Sequence, residues 1–270
     1  MTKLKVGIIG CGTIGSALAK VISREFQDRA WLAFLCEIHP EKAVNLKNRL
    51  GCDAPVVSIG RLIRGSDLII EAASVHISGE IAKQVLRKNK QGFVMSVGGL
   101  LEVRDLASLS ARSRGKIWIP SGALAGIDGL LAARESGIES VRLITKKPPS
   151  SLRDAPYFIK KKFPVLKGQK EYCLFKGSAR EAVRGFPQNI NVAALLSLAG
   201  IGAKKTQVEI WTSRTFRFNQ HEVFIQGKFG RVETLARNIP SPENPKTSTL
   251  AVDSAIAALR KIFSSVDLGT

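Results

Sequence analysis

The sequence predicts an α/β protein, a doubly wound parallel sheet followed by a second α+β domain, on three observations. First, the stretch Gly10-Cys11-Gly12-Thr13-Ile14-Gly15 follows the apolar run 6–9 and opens a segment whose apolar positions Ile14, Leu18, Val21, Ile22 and Phe26 recur at helical spacing. Second, apolar runs alternate with helical patterns through residues 1–120, as parallel strands with crossovers require. Third, the texture changes at Ser121, where a glycine-rich stretch leads into further strand-like segments. Because crossovers between parallel strands are right-handed, the first 120 residues read as a Rossmann-type domain.

The elements follow in order. Between a strand and a helix, Gly10 permits a tight turn, Gly12 lets the backbone approach a pyrophosphate, and Gly15 lets helix and strand pack closely. The helix start at Thr13 and Ile14 offers unpaired N–H groups and a positive dipole end to phosphates. The acidic residue such a site needs for the ribose hydroxyls is Glu37, which closes the run 31–36 and lies 22 residues after Gly15. The plain alternative is a glycine turn with no ligand. Further strands are expected at 56–57, 68–73, 93–97 and 117–119, and helices at 40–50 and 77–87, with Pro40 suited to a first turn. Small residues follow two of these runs, at 71–74 and 96–99. There Ala73 and Ser74 either let a cofactor cross the carboxyl edge of the sheet or make a tight strand-to-helix turn.

Beyond Ser121 a helical pattern covers 130–134, and strands are expected at 141–145, 208–211, 222–225 and 231–235. An apolar helix is expected at 192–198 and another at 247–263, the latter preceded by Pro242 and Pro245. The expected domains are 1–120, which binds a dinucleotide, and 121–245, with the C-terminal helix of 246–270 packing back on the first.

Composition narrows the class. Of 270 residues, 44% are hydrophobic and 23% charged, as in soluble globular proteins. No apolar run reaches the ~20 residues of a membrane helix, and the first strand begins so early that no signal peptide is expected. The cysteines Cys11, Cys36, Cys52 and Cys173 form no CxxC pair, which argues against a zinc site or disulfide framework and for the reducing cytoplasm. The net charge is +19, with Lys146, Lys147, Arg153, Lys160, Lys161, Lys162, Lys167, Lys170 and Lys176 crowded in the middle. Such a face either binds nucleic acid or is a solvated surface that attracts small anions. With aromatics at only 6% and no aromatic-rich basic motif, the second reading is favoured.

The chain resembles the L-aspartate dehydrogenases. The similarity rests on the N-terminal glycine turn and on three longer stretches: Pro120 with Ser121-Gly122-Ala123-Leu124-Ala125-Gly126-Ile127-Asp128, then Phe186-Pro187-Gln188-Asn189-Ile190-Asn191-Val192-Ala193-Ala194, then Pro242-Glu243-Asn244-Pro245-Lys246-Thr247-Ser248. The resemblance implies a homodimer whose second domain carries substrate contacts, with NAD or NADP as cofactor and L-aspartate as substrate. It implies oxidation to iminoaspartate, which hydrolyses to oxaloacetate and ammonia or feeds NAD biosynthesis. It places the cofactor against Ala123 and Asn189, and the catalytic histidine at His221.

That chemistry needs a base for the amine proton and cations for two carboxylates. Histidine suits the base role, with a reference pKa of about 6.5. Of His39, His76 and His221, the first falls beside Glu37 and the second beside the 71–74 strand end, which makes His76 the rival base. Lys246 is the candidate for a substrate carboxylate, or else an exposed loop lysine. Asn191, with Asn189, is either a ligand group or a helix cap. Asp128 is a weaker candidate for orienting its neighbours. A dinucleotide-sensing Rossmann protein with a basic nucleic-acid face is the alternative function, but it needs no catalytic base.

Overall fold

The computed structural model describes residues 2–159, 161–187, 191–244, 247–266 and 268–269. Lys160, Asn189 and Lys246 lie outside the described residues. The chain forms two compact units, Met1–Pro120 with Val252–Val266, and Ser121–Ala251 with Asp267–Thr270.

The first unit runs β1 (Leu4–Ile9), α1 (Thr13–Glu25), β2 (Ala30–Cys36), α2 (Pro40–Leu50), α3 (Ile59–Gly65), β3 (Leu68–Glu71), α4 (Val75–Arg87), β4 (Gln91–Val94), α5 (Leu106–Arg112) and β5 (Lys116–Trp118). Its five strands are all parallel, in the order β2-β1-β3-β4-β5. Strand order therefore reverses at β1, and open α/β sheets bind their ligands beyond the carboxyl ends of the strands at such a switch point. The run 93–97 splits, because Val97–Glu102 winds into a 3₁₀ turn. The strand expected at 56–57 shrinks to a single parallel bridge between Val56 and Leu35. Pro55 supplies its carbonyl to Leu35 N but has no N–H to give, and Ser58 already caps α3.

The second unit runs α6 (Ile127–Ser136), β6 (Ile138–Lys147), α7 (Pro149–Leu152), β7 (Tyr172–Ser178), α8 (Ala179–Gly185), α9 (Asn191–Ala199), β8 (Gln207–Thr212), β9 (Asn219–Gly227) and β10 (Gly230–Asn238). The sheet order is β10-β9-β6-β8-β7, parallel only between β6 and β8. Along β6, Val141, Leu143, Thr145 and Lys147 are buried, the period of two that sends alternate side chains to one face. The apolar α9 is buried along most of its length.

The last helix, α10 (Thr249–Ile262), joins the first unit from Val252 onward. Ala255 and Leu259 are fully buried with Val6, Leu18 and Ile22 of β1 and α1. Phe263 stacks on Phe26 at 4.4 Å, and Arg260 grips Glu25 through two bonds of 2.9 and 3.0 Å.

Candidate active site

In the first unit the three glycines do three different things. Gly10 has φ +96°, and a β-carbon there would stand 2.5 Å from the Ala72 carbonyl oxygen, so the turn can close against the end of β3 only without a side chain. At Gly15 a β-carbon would run into the Gly10 carbonyl oxygen. At Gly12 a β-carbon would meet no described atom within 4 Å, so this glycine faces open space. Gly12 is the N-cap of α1, no side chain caps that helix, and its first turn carries no acidic residue. Thr13 and Ile14 open the helix, whose N-terminus is thus left for an anion. The cradle fits a dinucleotide pyrophosphate.

Two carboxylates organise the edge of this sheet. Glu37 accepts from Cys11 N at 2.7 Å, Ile38 N at 2.9 Å and His39 N at 3.0 Å, which sets it against the glycine turn. Burial pushes its pKa up, but the three N–H donors and the charge of Lys42 outweigh that and hold it below the usual carboxylate value. Glu71 is fully buried at the end of β3 and accepts from Ala73 N, Ser74 N, Ser96 N and Ser96 Oγ at 2.9–3.0 Å. Burial raises its pKa against those four donors. The amides of Ala73 and Ser74 are therefore engaged, and Ser74 Oγ caps α4 by accepting from His76 N at 3.2 Å. His76 and His39 are both exposed.

In the second unit His221 is 2% exposed and lies directly across from Thr145, whose Oγ1 is 3.1 Å from His221 Nδ1. Lys147, two residues further along β6 on the same face, is 5% exposed. Burial pulls the His221 pKa down to about 3, with the charge of Lys147 adding to the shift, and burial pulls Lys147 down to about 8. An unperturbed histidine titrating near 6.5 is thus not what the fold supplies. At neutral pH the ring is uncharged beside an ammonium group.

Neighbouring polar groups complete this end of the sheet. Asn219, one residue beyond the Lys146–Gln220 pair, is 2% exposed, and its cross-strand partner Asn238 donates from Nδ2 to the Ala123 carbonyl at 3.0 Å. Ala123 is buried, so Asn238 fixes the backbone that the family resemblance sets against the cofactor. Asn191 is the first residue of α9. The sequence context puts Lys147 in a solvated basic run, but its side chain is buried. The signal that would have found it is alternation, since 141, 143, 145 and 147 share a face and the first two are apolar. Asn219 and Thr145 are found by the same count of two from His221 and Leu143.

A doubly wound unit with an uncapped glycine turn at its switch point, followed by an α/β unit bearing a buried histidine, is the build of a two-domain NAD(P)-dependent dehydrogenase. Residues 10–120 match the NAD-binding domain of homoserine dehydrogenase, and residues 128–262 match the C-terminal domain of aspartate dehydrogenase. An L-aspartate dehydrogenase of Methanosarcina acetivorans is 44% identical over 99% of this chain and 100% of its own length, and one of Bordetella bronchiseptica is 36% identical over 99% and 98%. The crystal structure of aspartate dehydrogenase from Thermotoga maritima aligns with a TM-score of 0.73 at 26% identity, covering 99% of this chain and all of that one. The chain belongs to the L-aspartate dehydrogenase family.

Proposed function

We propose that the protein oxidises L-aspartate to iminoaspartate, and the observation that carries this is a neutral, fully buried His221 held by Thr145 beside the cation of Lys147. When bound, NAD or NADP supplies the acceptor for the hydride that leaves the substrate α-carbon. The chain's own residues do the rest. Gly10, Gly12, Thr13, Ile14 and Gly15 hold the pyrophosphate, and Glu37 accepts from the ribose hydroxyls. Lys42 offsets part of Glu37's repulsion toward a 2′-phosphate, so both cofactors are accepted. Ala73 and Ser74, small residues at the carboxyl edge of the sheet, leave room for the cofactor. Ala123 and Asn189 contact it on the family resemblance, and Lys246 and Asn191 contact substrate.

The role requires the tautomer in which Nδ1 of His221 donates to Thr145 Oγ1, so that the lone pair of Nε2 takes the proton from the substrate amine. The iminoaspartate then hydrolyses to oxaloacetate and ammonia or enters NAD biosynthesis. The free state of all four cysteines supports a cytoplasmic setting. The resemblance supports a homodimer. Among the described residues no helix is long and apolar enough to cross a membrane.

The test is growth of NADH absorbance with L-aspartate. A general base contributes roughly 10²–10⁴-fold, so His221→Ala lowers turnover by about that factor with NAD affinity unchanged. His76→Ala, whose histidine is exposed, keeps parent turnover. Loss in the His76 variant alone would move the base to the first unit. No NADH from the parent, together with salt-dependent nucleic-acid binding, would favour the sensor reading.

A further inference from the structure

We propose that Lys147 and Asn219 recognise two of the substrate's charged groups: Lys147 Nζ holds one carboxylate, and Asn219 Oδ1 accepts a hydrogen bond from the α-amino group. The assignment rests on the aspartate-oxidising reading and deepens it by naming what selects the substrate.

Three observations converge on one face at one end of β6 and β9. Lys147 closes β6, buried, with its backbone pinned by Thr212 Oγ1, which donates to the Lys147 carbonyl at 2.9 Å. Its burial puts an ammonium group on the covered face of the sheet, where an anion is held more strongly than at the surface. Asn219 comes next in register, and among the described residues its Oδ1 is buried with no hydrogen-bond partner. Native proteins pair nearly all such atoms, so an unpaired one needs an explanation, and a ligand's N–H donors supply it. His221 stands on the same face, two residues along from Asn219. A cation, an acceptor and a neutral base on adjacent strand positions match an amino acid whose amine must lose a proton while its carboxylate is held.

The segment leaving Lys147 is electropositive as well. Pro148 and Pro149 line a groove of about 980 Å³ with Arg153, Arg214 and Arg217, against the one carboxylate of Asp154. An anion approaching the end of β6 meets a favourable field. Burial is the larger cause of the low His221 pKa and the Lys147 charge the smaller, and a seated carboxylate opposes only the second.

The test uses the full chain with saturating NAD, succinate as the probe and calorimetry as the readout, beside initial rates with L-aspartate. Succinate carries two carboxylates and no amine. Removing one partner of a buried charge pair weakens binding by about thirtyfold or more. Lys147→Met should therefore weaken succinate by at least that much and raise the KM for L-aspartate, with NAD affinity unchanged. Asn219→Ala should raise the KM for L-aspartate yet leave succinate affinity as in the parent, a split that a merely structural role would not produce. Melting curves confirm that both variants are folded. Unchanged succinate affinity in Lys147→Met overturns the proposal, as does equal loss of succinate and NAD in both variants. If the parent binds succinate through Lys147 but makes no NADH from L-aspartate, the pocket stands and the proposed reaction fails.

Discussion

At the scale of single residues, burial decides what His221 and Lys147 can do and what they cost the fold. The His221 pKa falls from 6.5 to about 3, so between those values the unfolded chain binds a proton that the folded chain refuses. This contribution to stability is complete above pH 6.5 and is lost as pH falls, at roughly 1.4 kcal/mol per pH unit. Between pH 6.5 and 5 it removes roughly 2 kcal/mol, and urea unfolding of His221→Asn should lack that part of the acid sensitivity. For Lys147 the pKa falls from 10.5 to about 8, so the folded state releases its proton first and stability rises as pH passes from 8 to 10.5. Below pH 8 the buried ammonium therefore costs roughly 3 kcal/mol. Lys147→Met should show a higher urea midpoint at pH 7, and that advantage should shrink toward pH 10. A variant that gains stability and loses substrate is the signature of a residue kept for function.

At the scale of elements, the glycine turn separates a position that holds the fold from one that holds the ligand. Gly12→Val adds atoms to open space, so its melting temperature should match the parent while NAD binding by calorimetry disappears. Gly15→Val drives a side chain into the Gly10 carbonyl and should lower stability by at least about 1–3 kcal/mol before any cofactor is added. A Gly12 variant that binds NAD normally would show that the pyrophosphate lies elsewhere. This strand–turn–helix was readable in the sequence because each of its signals is local: an apolar run, glycines at fixed offsets, then a 3.6-residue period. The helix at Pro40–Leu50 was readable for the same reason, with proline in its first turn and Gly51 (φ +61°) ending it. The edge strand Tyr172–Ser178 was not. It sits among lysines, only Phe175 is buried along it, and its pairing with β8 runs from Ser178 opposite Gln207 to Tyr172 opposite Thr212, far apart in sequence. The candidate site divides the same way. His221 was reached through a motif, but Lys147 becomes distinct from its charged neighbours only once β6 pairs with β8 and β9 and one face is covered.

At the scale of the whole molecule, two features depend on residues far apart in sequence. The charge of +19 is not a uniform solvated coat: one lysine is drawn into the second unit beside the candidate base, and three arginines gather along one groove. The other feature is the return of the chain to where it began. From Val252 the helix α10 rejoins the first unit, 132 residues after Pro120 leaves it, and seats Ala255 and Leu259 among residues of β1 and α1. The unit that carries the nucleotide cradle is therefore not complete until α10 has been added to it. Replacing a fully buried leucine by alanine costs about 2–5 kcal/mol, so Leu259→Ala should lower the unfolding midpoint by a correspondingly large amount. A ligand that binds only the folded state stabilises by mass action, about 2.7 kcal/mol at a hundredfold excess over its Kd. NAD at that excess should restore much of the lost midpoint in Leu259→Ala and none of it in a Leu259→Ala, Gly12→Val double variant. A midpoint unmoved by Leu259→Ala would mean that α10 is not part of the core it packs against. Rescue that persisted in the double variant would separate NAD binding from the glycine turn.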